Sequence, residues 1–141
     1  ELAFRGPRGR FVCSSESHHL YFVATGAGIA PIMGMIRDEL EYQKTDKKIH
    51  LLFGVRCEED IFWTARLDAL AQKYDNFKYS LTVSRPSSAW RGRSGRVTMH
   101  VDCTLQDYRA YLCGSADMVK EVRALLIEHG TQPSTIHFEI F

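Results

Sequence analysis

The sequence has few cysteines and no recognisable pattern among them. Its 141 residues include four cysteines: Cys13, Cys57, Cys103 and Cys113. They form no C-x-x-C pair and do not have zinc-finger spacing. A disulfide framework is not expected either, because a chain of this length can bury a substantial apolar core. We therefore predict reduced thiols, a cytoplasmic location and no metal site.

The sequence also lacks an excess of charge and a long apolar run. Lys and Arg number 18 against 17 Asp and Glu, so the formal net charge is +1, which gives no general attraction to nucleic acid or to an anionic membrane. The apolar runs are too short to span a bilayer, and the first residues do not resemble a signal peptide. Because the chain begins at Glu1 without methionine, we expect it to be a fragment of a longer protein.

What the sequence does contain is a regular alternation of strand and helix patterns. Compact runs rich in aromatic and β-branched residues predict strands, and apolar residues at helical spacing predict helices. The predicted strands span residues 19–23, 49–55, 77–83, 110–113 and 135–141, and the predicted helices span about 29–42, 60–74 and 116–128. We expect Asp60 to cap the second helix and Gly130 to end the third.

This order of elements predicts the fold class. Strands that alternate with helices form a parallel sheet covered on both faces, and right-handed crossovers make it doubly wound. We therefore predict an α/β, three-layer, Rossmann-like fold with five parallel strands. We predict a loop at residues 87–94 and a short helix or turn at residues 95–103. In such a sheet, ligands bind beyond the carboxyl ends of the strands.

A glycine-rich loop follows the first predicted strand and opens the first helix. Its residues are Thr25, Gly26, Ala27, Gly28, Ile29, Ala30 and Pro31. Glycine allows a close backbone approach to a ligand, and a helix N-terminus suits a phosphate group. Two glycines alone would favour a plain strand-to-helix turn over a phosphate site. The third glycine of G-x-G-x-x-G is absent, so this is not the common dehydrogenase loop.

Two further features fall at the same edge of the predicted sheet. Cys113, Gly114 and Ser115 follow the fourth strand, with Met118 on the next helix. A thiol at this place lies either beside a reacting ring or simply in the core. The aromatic residue at the end of Glu139–Ile140–Phe141 either caps the core or stacks on a planar cofactor.

Five ordered motifs resemble the ferredoxin–NADP reductase superfamily, specifically its C-terminal NAD(P)-binding domain. They are G-P-x-G-x-F at residues 6–11, T-G-x-G-I-A-P at 25–31, G-x-R…D at Gly54, Arg56 and Asp60, Y-x-C-G…M at Tyr111, Cys113, Gly114 and Met118, and the terminal segment Phe138–Phe141. The resemblance covers essentially the whole chain and implies the oxygenase-reductase and flavin-reductase branch.

The resemblance implies a hydride transfer from NAD(P)H to FAD (or FMN), and then electron release to an iron–sulfur, haem or oxygenase partner. It assigns the pyrophosphate to residues 25–31 and places Ser115 and Met118 with the cofactor. It places Cys113 and Glu139 at the nicotinamide, the thiol without a nucleophilic role, and Phe141 against the flavin. It also implies that residues 1–16 lead out of a flavin-binding barrel and that residues 17–141 form the NAD(P)-binding domain.

The choice between NADH and NADPH stays open at this point. In NADP-specific members of the superfamily, a pair like Ser84–Arg85 binds the 2′-phosphate. The arginines that follow in the loop either add positive charge there or are simply solvated; they are Arg91, Arg93 and Arg96. Against this, residues 90–95 (WRGRSG) resemble the W-x-G-x-x-G stretch of NADH-using reductases.

Two other functions are weighed against the reductase. One is a regulatory module that binds nucleotide without catalysis. An upstream barrel with an R-x-Y-S/T motif, encoded before Glu1, would favour the reductase, and its absence would favour the regulatory module. The other is a doubly wound hydrolase, which is disfavoured because the sequence has no G-x-S-x-G elbow and its six histidines pair with no obvious nucleophile.

Overall fold

Strands and helices alternate along the chain in the order that the sequence predicts. The structure is a computed structural model and describes residues 11–14 and 18–140. The strands are β1 (His19–Thr25), β2 (Ile49–Val55), β3 (Phe77–Val83), β4 (Arg93–Ser94), β5 (Tyr108–Gly114) and β6 (Ile136–Ile140), and the helices are α1 (Ile29–Arg37), α2 (Thr64–Lys73) and α3 (Ala116–Glu128). No helix in the described ranges has the length and apolar character needed to cross a bilayer.

The strands form one sheet in the order β4-β3-β2-β1-β5-β6, and every pairing is parallel. From β1 the chain builds outward through β2 and β3 on one side, and then returns to place β5 and β6 on the other. The change of direction lies between β1 and β5. In a doubly wound sheet, the crevice at the carboxyl ends of two such strands is where ligands bind.

Each face of the sheet has its own apolar core. Leu20 and Phe22 of β1 face the side covered by α1 and α2, whereas Tyr21 and Val23 alternate to the side covered by α3. These four residues are buried, as expected for the central strand of a parallel sheet covered on both faces. The predicted three-layer α/β fold is confirmed.

The structure differs from the sequence prediction in two places. The sheet has a sixth strand, β4, which pairs with the end of β3 through Thr82 and Val83. The prediction that Asp60 caps the second helix is wrong, because α2 begins at Thr64. Asp60 instead closes a 3₁₀ turn (Glu58–Asp60), where its carboxylate accepts a hydrogen bond from the Cys57 N–H at 3.1 Å.

The N-terminal segment 11–14 packs against β5. The Phe11 ring meets the Tyr111 ring edge-on, with 5.9 Å between centroids, and the Ser14 N–H donates to the Tyr111 hydroxyl at 3.0 Å. Tyr111 is itself stacked on Phe22 and His137. The segment is therefore joined to the side of the sheet that carries α1. Residues 6–10 of the first motif and Phe141 lie outside the described residues.

Helix α1 continues into a π-helical turn (Asp38–Tyr42). Glu39 of this turn is 5% exposed, and its carboxylate faces the Lys47 ammonium group at 3.6 Å. A charge that is removed from water is normally paired, so Lys47 is the group that makes a buried glutamate tolerable here. The pair connects the end of α1 to the segment that leads into β2.

Candidate functional site

A cleft of about 740 Å³ opens at the carboxyl edge of the sheet. Its size is within the range of small-molecule sites. It lies where β1, β2, β3 and β5 end, against the N-terminal turn of α3. It is lined by Thr25, Gly26, Ala27, Gly54, Val55, Arg56, Glu59, Asp60, Phe62, Ser84, Gly95, Arg96, Val97, Thr98, Ser115, Asp117, Met118 and Glu121.

The two glycines of the loop after β1 have different roles. Gly26 has a φ of +52°, and an added Cβ would meet nothing within 4 Å, so that side of the loop is open. Gly28 is buried, and an added Cβ would lie 2.2 Å from the Cys113 carbonyl oxygen. Gly26 is therefore required for its conformation beside the open cleft, and Gly28 for close packing of the loop on β5.

The N-terminus of α1 follows directly after this loop. Gly28, which has no side chain, stands at the N-cap position. The positive end of the helix dipole therefore lies behind Gly26 and Ala27, which are exposed to the cleft. Of the other loop residues, Ile29 is buried, and Ala30 and Pro31 are exposed but do not line the cleft.

On the β5 side, the cleft is closed by the start of α3. Ser115 caps this helix by accepting a hydrogen bond from the Met118 N–H at 3.3 Å. Gly114 allows the side chains of Thr25 and Met118 to approach, because an added Cβ would lie 2.2 Å from Thr25 Oγ1 and 2.6 Å from Met118 Cε. A side chain at position 114 would push this wall away from the loop after β1.

Cys113 lies beneath this wall and is fully buried. Burial, followed by the negative charge of Glu139, raises the pKa of the thiol to about 11. Glu139 is the register partner of Cys113 on β6 and is exposed. At neutral pH the thiol is therefore protonated, which is unsuited to a nucleophile and leaves a polarizable, uncharged group under the cleft.

On the β2 side, an acidic turn, Glu58–Asp60, stands beside the end of β3. The Glu58 carboxylate accepts from the Ser87 hydroxyl at 2.6 Å and lies 3.1 and 3.2 Å from the Ser87 N–H. These hydrogen bonds lower the pKa of Glu58. The turn is thus tied to the loop that follows β3, and Glu59 and Asp60 face the cleft together with Ser84.

Phe62 forms an aromatic wall between the acidic turn and α2. Its ring makes edge-on contacts with Phe53 and Trp63, with centroid distances of 5.7 and 5.2 Å. The side chain is nevertheless 38% exposed. An aromatic ring that is packed against other rings on one side and accessible to solvent on the other is suited to contact with a flat ligand group.

The arginines of the loop after β3 are distributed unequally. Arg85 is exposed and does not line the cleft, and its N–H donates to the Arg56 carbonyl at 2.8 Å. Arg91 donates through Nη1 to the carbonyls of Ser88 and Trp90. Arg96 lines the cleft, with its guanidinium 3.8 Å from Glu121.

Of the residues that the sequence motifs single out, the cleft brings together Thr25, Gly26, Ala27, Gly54, Arg56, Asp60, Ser84, Gly95, Arg96, Ser115 and Met118. It does not include Arg85, Cys113, Gly114 or Glu139. Sequence reasoning missed Glu59 and Phe62 as lining residues. Their only signal was their position one and two residues from Asp60 of the second-strand motif.

Comparisons with known proteins identify a matching family and several relatives. Residues 22–124 match the family described as the oxidoreductase NAD-binding domain. The chain is 32% identical, over 99% of its length, to an anthranilate 1,2-dioxygenase electron transfer component of Acinetobacter baylyi, and covers 41% of that protein. It is 35% identical, over 96% of its length, to the ferredoxin–NAD(P)+ reductase component of naphthalene 1,2-dioxygenase/salicylate 5-hydroxylase systems in Ralstonia, and covers 42% of it.

Among solved structures, the fold is similar to that of an Amycolatopsis cytochrome P450 reductase. The TM-score is 0.85 at 22% sequence identity, and the match covers 96% of this chain and 42% of that one. The chain therefore spans about two fifths of the length of each of these three proteins.

Proposed function

The chain belongs to the family of oxidoreductase NAD-binding domains, and from this premise we propose that it is the NAD(P)H-binding domain of a flavin-dependent reductase. When bound, the nicotinamide cofactor supplies a hydride to the flavin, and the electrons pass on to an iron–sulfur, haem or oxygenase partner. The observation that carries the proposal is the cleft, which combines an open glycine loop and a helix N-terminus at the change of strand direction.

The loop after β1 is suited to the pyrophosphate of the dinucleotide. The face of Gly26 is open to the cleft, since nothing lies within 4 Å of the position that a Cβ would take. The positive end of α1 lies directly behind it and favours an anion. We assign the pyrophosphate to this loop, with Thr25, Gly26 and Ala27 in contact and Gly28 to Pro31 shaping the turn.

The residues around the end of β5 are proposed to position the nicotinamide ring. Cys113 supplies an uncharged sulfur below the surface, and Glu139 lies beside it on β6. A positioned ring lowers the barrier by fixing the distance and orientation of the reacting atoms. Phe141, which lies outside the described residues, is assigned the contact with the flavin ring.

The flavin is proposed to be held mainly by another domain of the same polypeptide, to which residues 1–16 lead. The names of the relatives, electron transfer and reductase components of dioxygenase systems, support an iron–sulfur or oxygenase partner. The fraction of their length that this chain spans leaves room for such a domain. Segment 11–14 enters along the β5 side of the sheet.

A pair of glycine variants tests the pyrophosphate assignment. Gly26 and Gly130 both have positive φ, and an added Cβ at either meets nothing within 4 Å, but Gly130 does not line the cleft. Alanine at either site costs about 1–2 kcal/mol of stability through the left-handed conformation. We expect Gly26→Ala to weaken NADH and NADPH binding by about tenfold, and Gly130→Ala to leave it unchanged, in NMR titrations of the folded proteins.

The outcome that contradicts the assignment is equal binding by the two variants. Catalysis is tested in the complete polypeptide, where Cys113→Ala is expected to lower the rate of flavin reduction more than it raises KM. A complete polypeptide that binds the dinucleotide but never reduces flavin would identify a regulatory nucleotide-binding module instead.

A further inference from the structure

We infer that the cleft selects NADH over NADPH, and that Glu59 is a specificity-determining residue that faces the adenosine ribose and disfavours a 2′-phosphate. The inference rests on the proposed function, because it concerns which of two nicotinamide dinucleotides the same cleft binds.

The side chains that line the cleft carry more negative than positive charge. Four carboxylates line it, from Glu59, Asp60, Asp117 and Glu121, against two guanidinium groups, from Arg56 and Arg96. The 2′-phosphate of NADPH adds roughly two negative charges to those of the pyrophosphate. Charges inside a cleft are screened less than charges on an open surface. The additional phosphate therefore meets an environment that is already negative.

Glu59 lies in the acidic turn and lines the cleft together with Ser84. The hydrogen bonds between Glu58 and Ser87 hold the acidic turn against the loop after β3, next to Ser84 in the cleft wall. Phe62, two residues beyond the turn, offers an aromatic face for a base. We assign the adenine base to Phe62 and the ribose to Glu59 and Ser84, which line the same cleft. This places the adenosine half of the dinucleotide on the β2 side of the pyrophosphate loop.

The Glu59 carboxylate is available to a ligand, unlike the carboxylates of Asp60 and Glu121. Asp60 accepts the Cys57 N–H, and Glu121 faces Arg96. Within the part of the chain that the structure describes, the Glu59 carboxylate has no hydrogen-bond or ion-pair partner. A carboxylate accepts hydrogen bonds from the two ribose hydroxyls but repels a phosphate at the same place.

The arginines that would otherwise read a 2′-phosphate are placed differently. Arg85 does not line the cleft, and Arg91 donates to carbonyls of its own loop. Arg96 faces Glu121 across the cleft wall. Arg85 and Arg91 thus add no charge to the lining of the cleft, and the charge of Arg96 is offset by Glu121.

The test compares dissociation constants for NADH and NADPH, measured by NMR titration of the unaltered chain and two variants. Glu59→Gln keeps the shape of the side chain and removes its charge. Glu128→Gln removes a charge at the far end of α3, outside the cleft. We expect the unaltered chain to bind NADH at least about tenfold more tightly than NADPH. Glu59→Gln should narrow this ratio by strengthening NADPH binding, and Glu128→Gln should leave it unchanged.

Two results would overturn the inference while leaving the proposed function intact: NADPH binding as tight as NADH binding in the unaltered chain, or the same ratio in the Glu59→Gln variant. A third result would also overturn it: an Arg85→Ala variant that binds NADPH more weakly but NADH as tightly as the unaltered chain. That result would identify Arg85 as the residue that binds the 2′-phosphate. Failure of both dinucleotides to bind would overturn the proposed function itself.

Discussion

Single residues decide how closely the loop after β1 can approach β5. The Cβ of an alanine at position 28 would lie 2.2 Å from the Cys113 carbonyl oxygen and 2.6 Å from its carbon. Both are backbone atoms and cannot rotate away. We therefore expect Gly28→Ala to destabilise the protein by about 1–3 kcal/mol, measured by urea unfolding.

Gly34→Ala is the matched control for this prediction. Gly34 lies in α1 with open space around the added Cβ, and alanine in a helix is favoured over glycine by about 0.5–1 kcal/mol. A stabilised Gly34→Ala and a destabilised Gly28→Ala are expected. Equal stabilities would show that the loop can move away from β5 at no cost.

The burial of Cys113 gives a dependence of stability on pH. The folded state holds the pKa of this thiol at about 11, above the ordinary value of 9.0. Below pH 9 the thiol is protonated in both states. Between about pH 9 and pH 11 the unfolded chain releases the proton and the folded one does not, so the free energy of unfolding falls as pH rises.

We expect this contribution to reach about 2 kcal/mol near pH 11. Urea unfolding at a series of alkaline pH values measures it, with Cys113→Ala as the comparison. The slope above pH 9 should be smaller in the variant, even though Cys13 and several tyrosines also have raised pKa values. If the unaltered chain and the Cys113→Ala variant show the same slope, the fold does not raise the pKa of this thiol.

At the scale of elements, five strands of the sheet were predictable because each is a compact run rich in aromatic, β-branched or other apolar residues. The bounds of β2, β3 and α3 agree with the predicted ones. The strand β4 was not predictable, since two polar residues, Arg93 and Ser94, have no periodicity and are ordered by their pairing with Thr82 and Val83. The strand β4 therefore depends on a pairing with residues about eleven positions earlier in the chain, which a local sequence pattern does not show.

The start of α2 was mispredicted for a related reason. An acidic residue before an apolar run indicates a helix N-cap, but Asp60 is held by Cys57. Phe62 instead packs on Phe53 of β2, and Trp63 adopts a left-handed conformation at φ 63° before the helix begins. The need to cover the end of β2 outweighs the local capping pattern, and the same arrangement places Phe62 in the cleft.

The ion pair between Glu39 and Lys47 stabilises the end of α1. Removal of the lysine charge leaves a glutamate that is 5% exposed without its counter-charge. We expect Lys47→Met to destabilise the protein by about 3 kcal/mol, and Lys48→Met, at an exposed position, to change stability by less than about 0.5 kcal/mol. Thermal unfolding measures both.

The double variant Glu39→Gln with Lys47→Met distinguishes the charge from the packing. If the uncompensated carboxylate causes the loss, the double variant regains part of the stability. A double variant that is as unstable as the sum of the single ones would attribute the loss to packing of the lysine side chain.

For the whole molecule, the predicted boundary between residues 16 and 17 has a measurable consequence. Phe11 and Cys13 pack against the core, and Ser14 bonds to Tyr111. A chain shortened to residues 17–141 loses these contacts. We expect it to be less stable than the full chain by about 2 kcal/mol, the contribution of one partly buried aromatic side chain, in urea unfolding. Equal stability would place the segment outside the folding unit.

The dependence on a separate flavin-binding domain is a second prediction at this scale. We expect the 141-residue chain to be purified without flavin and to show no NADH oxidation with added FAD, whereas the complete polypeptide carries flavin. Visible absorbance of the two preparations distinguishes them. A yellow preparation of the short chain would contradict the prediction.

The central position of β1 has a consequence for the order of events during protein synthesis. Of the strands in this sheet, β1 is synthesised first and can pair with β2 soon afterwards, but its other neighbour, β5, follows only after β3 and β4. Until then one edge of a buried central strand is unpaired, which is a hazard for aggregation. Because Gly28 packs against the Cys113 carbonyl, the loop to which we assign the pyrophosphate also lacks its support until β5 is synthesised. Under this assignment a nascent chain becomes able to bind the dinucleotide late, and a chaperone that shields β1 would act in this interval.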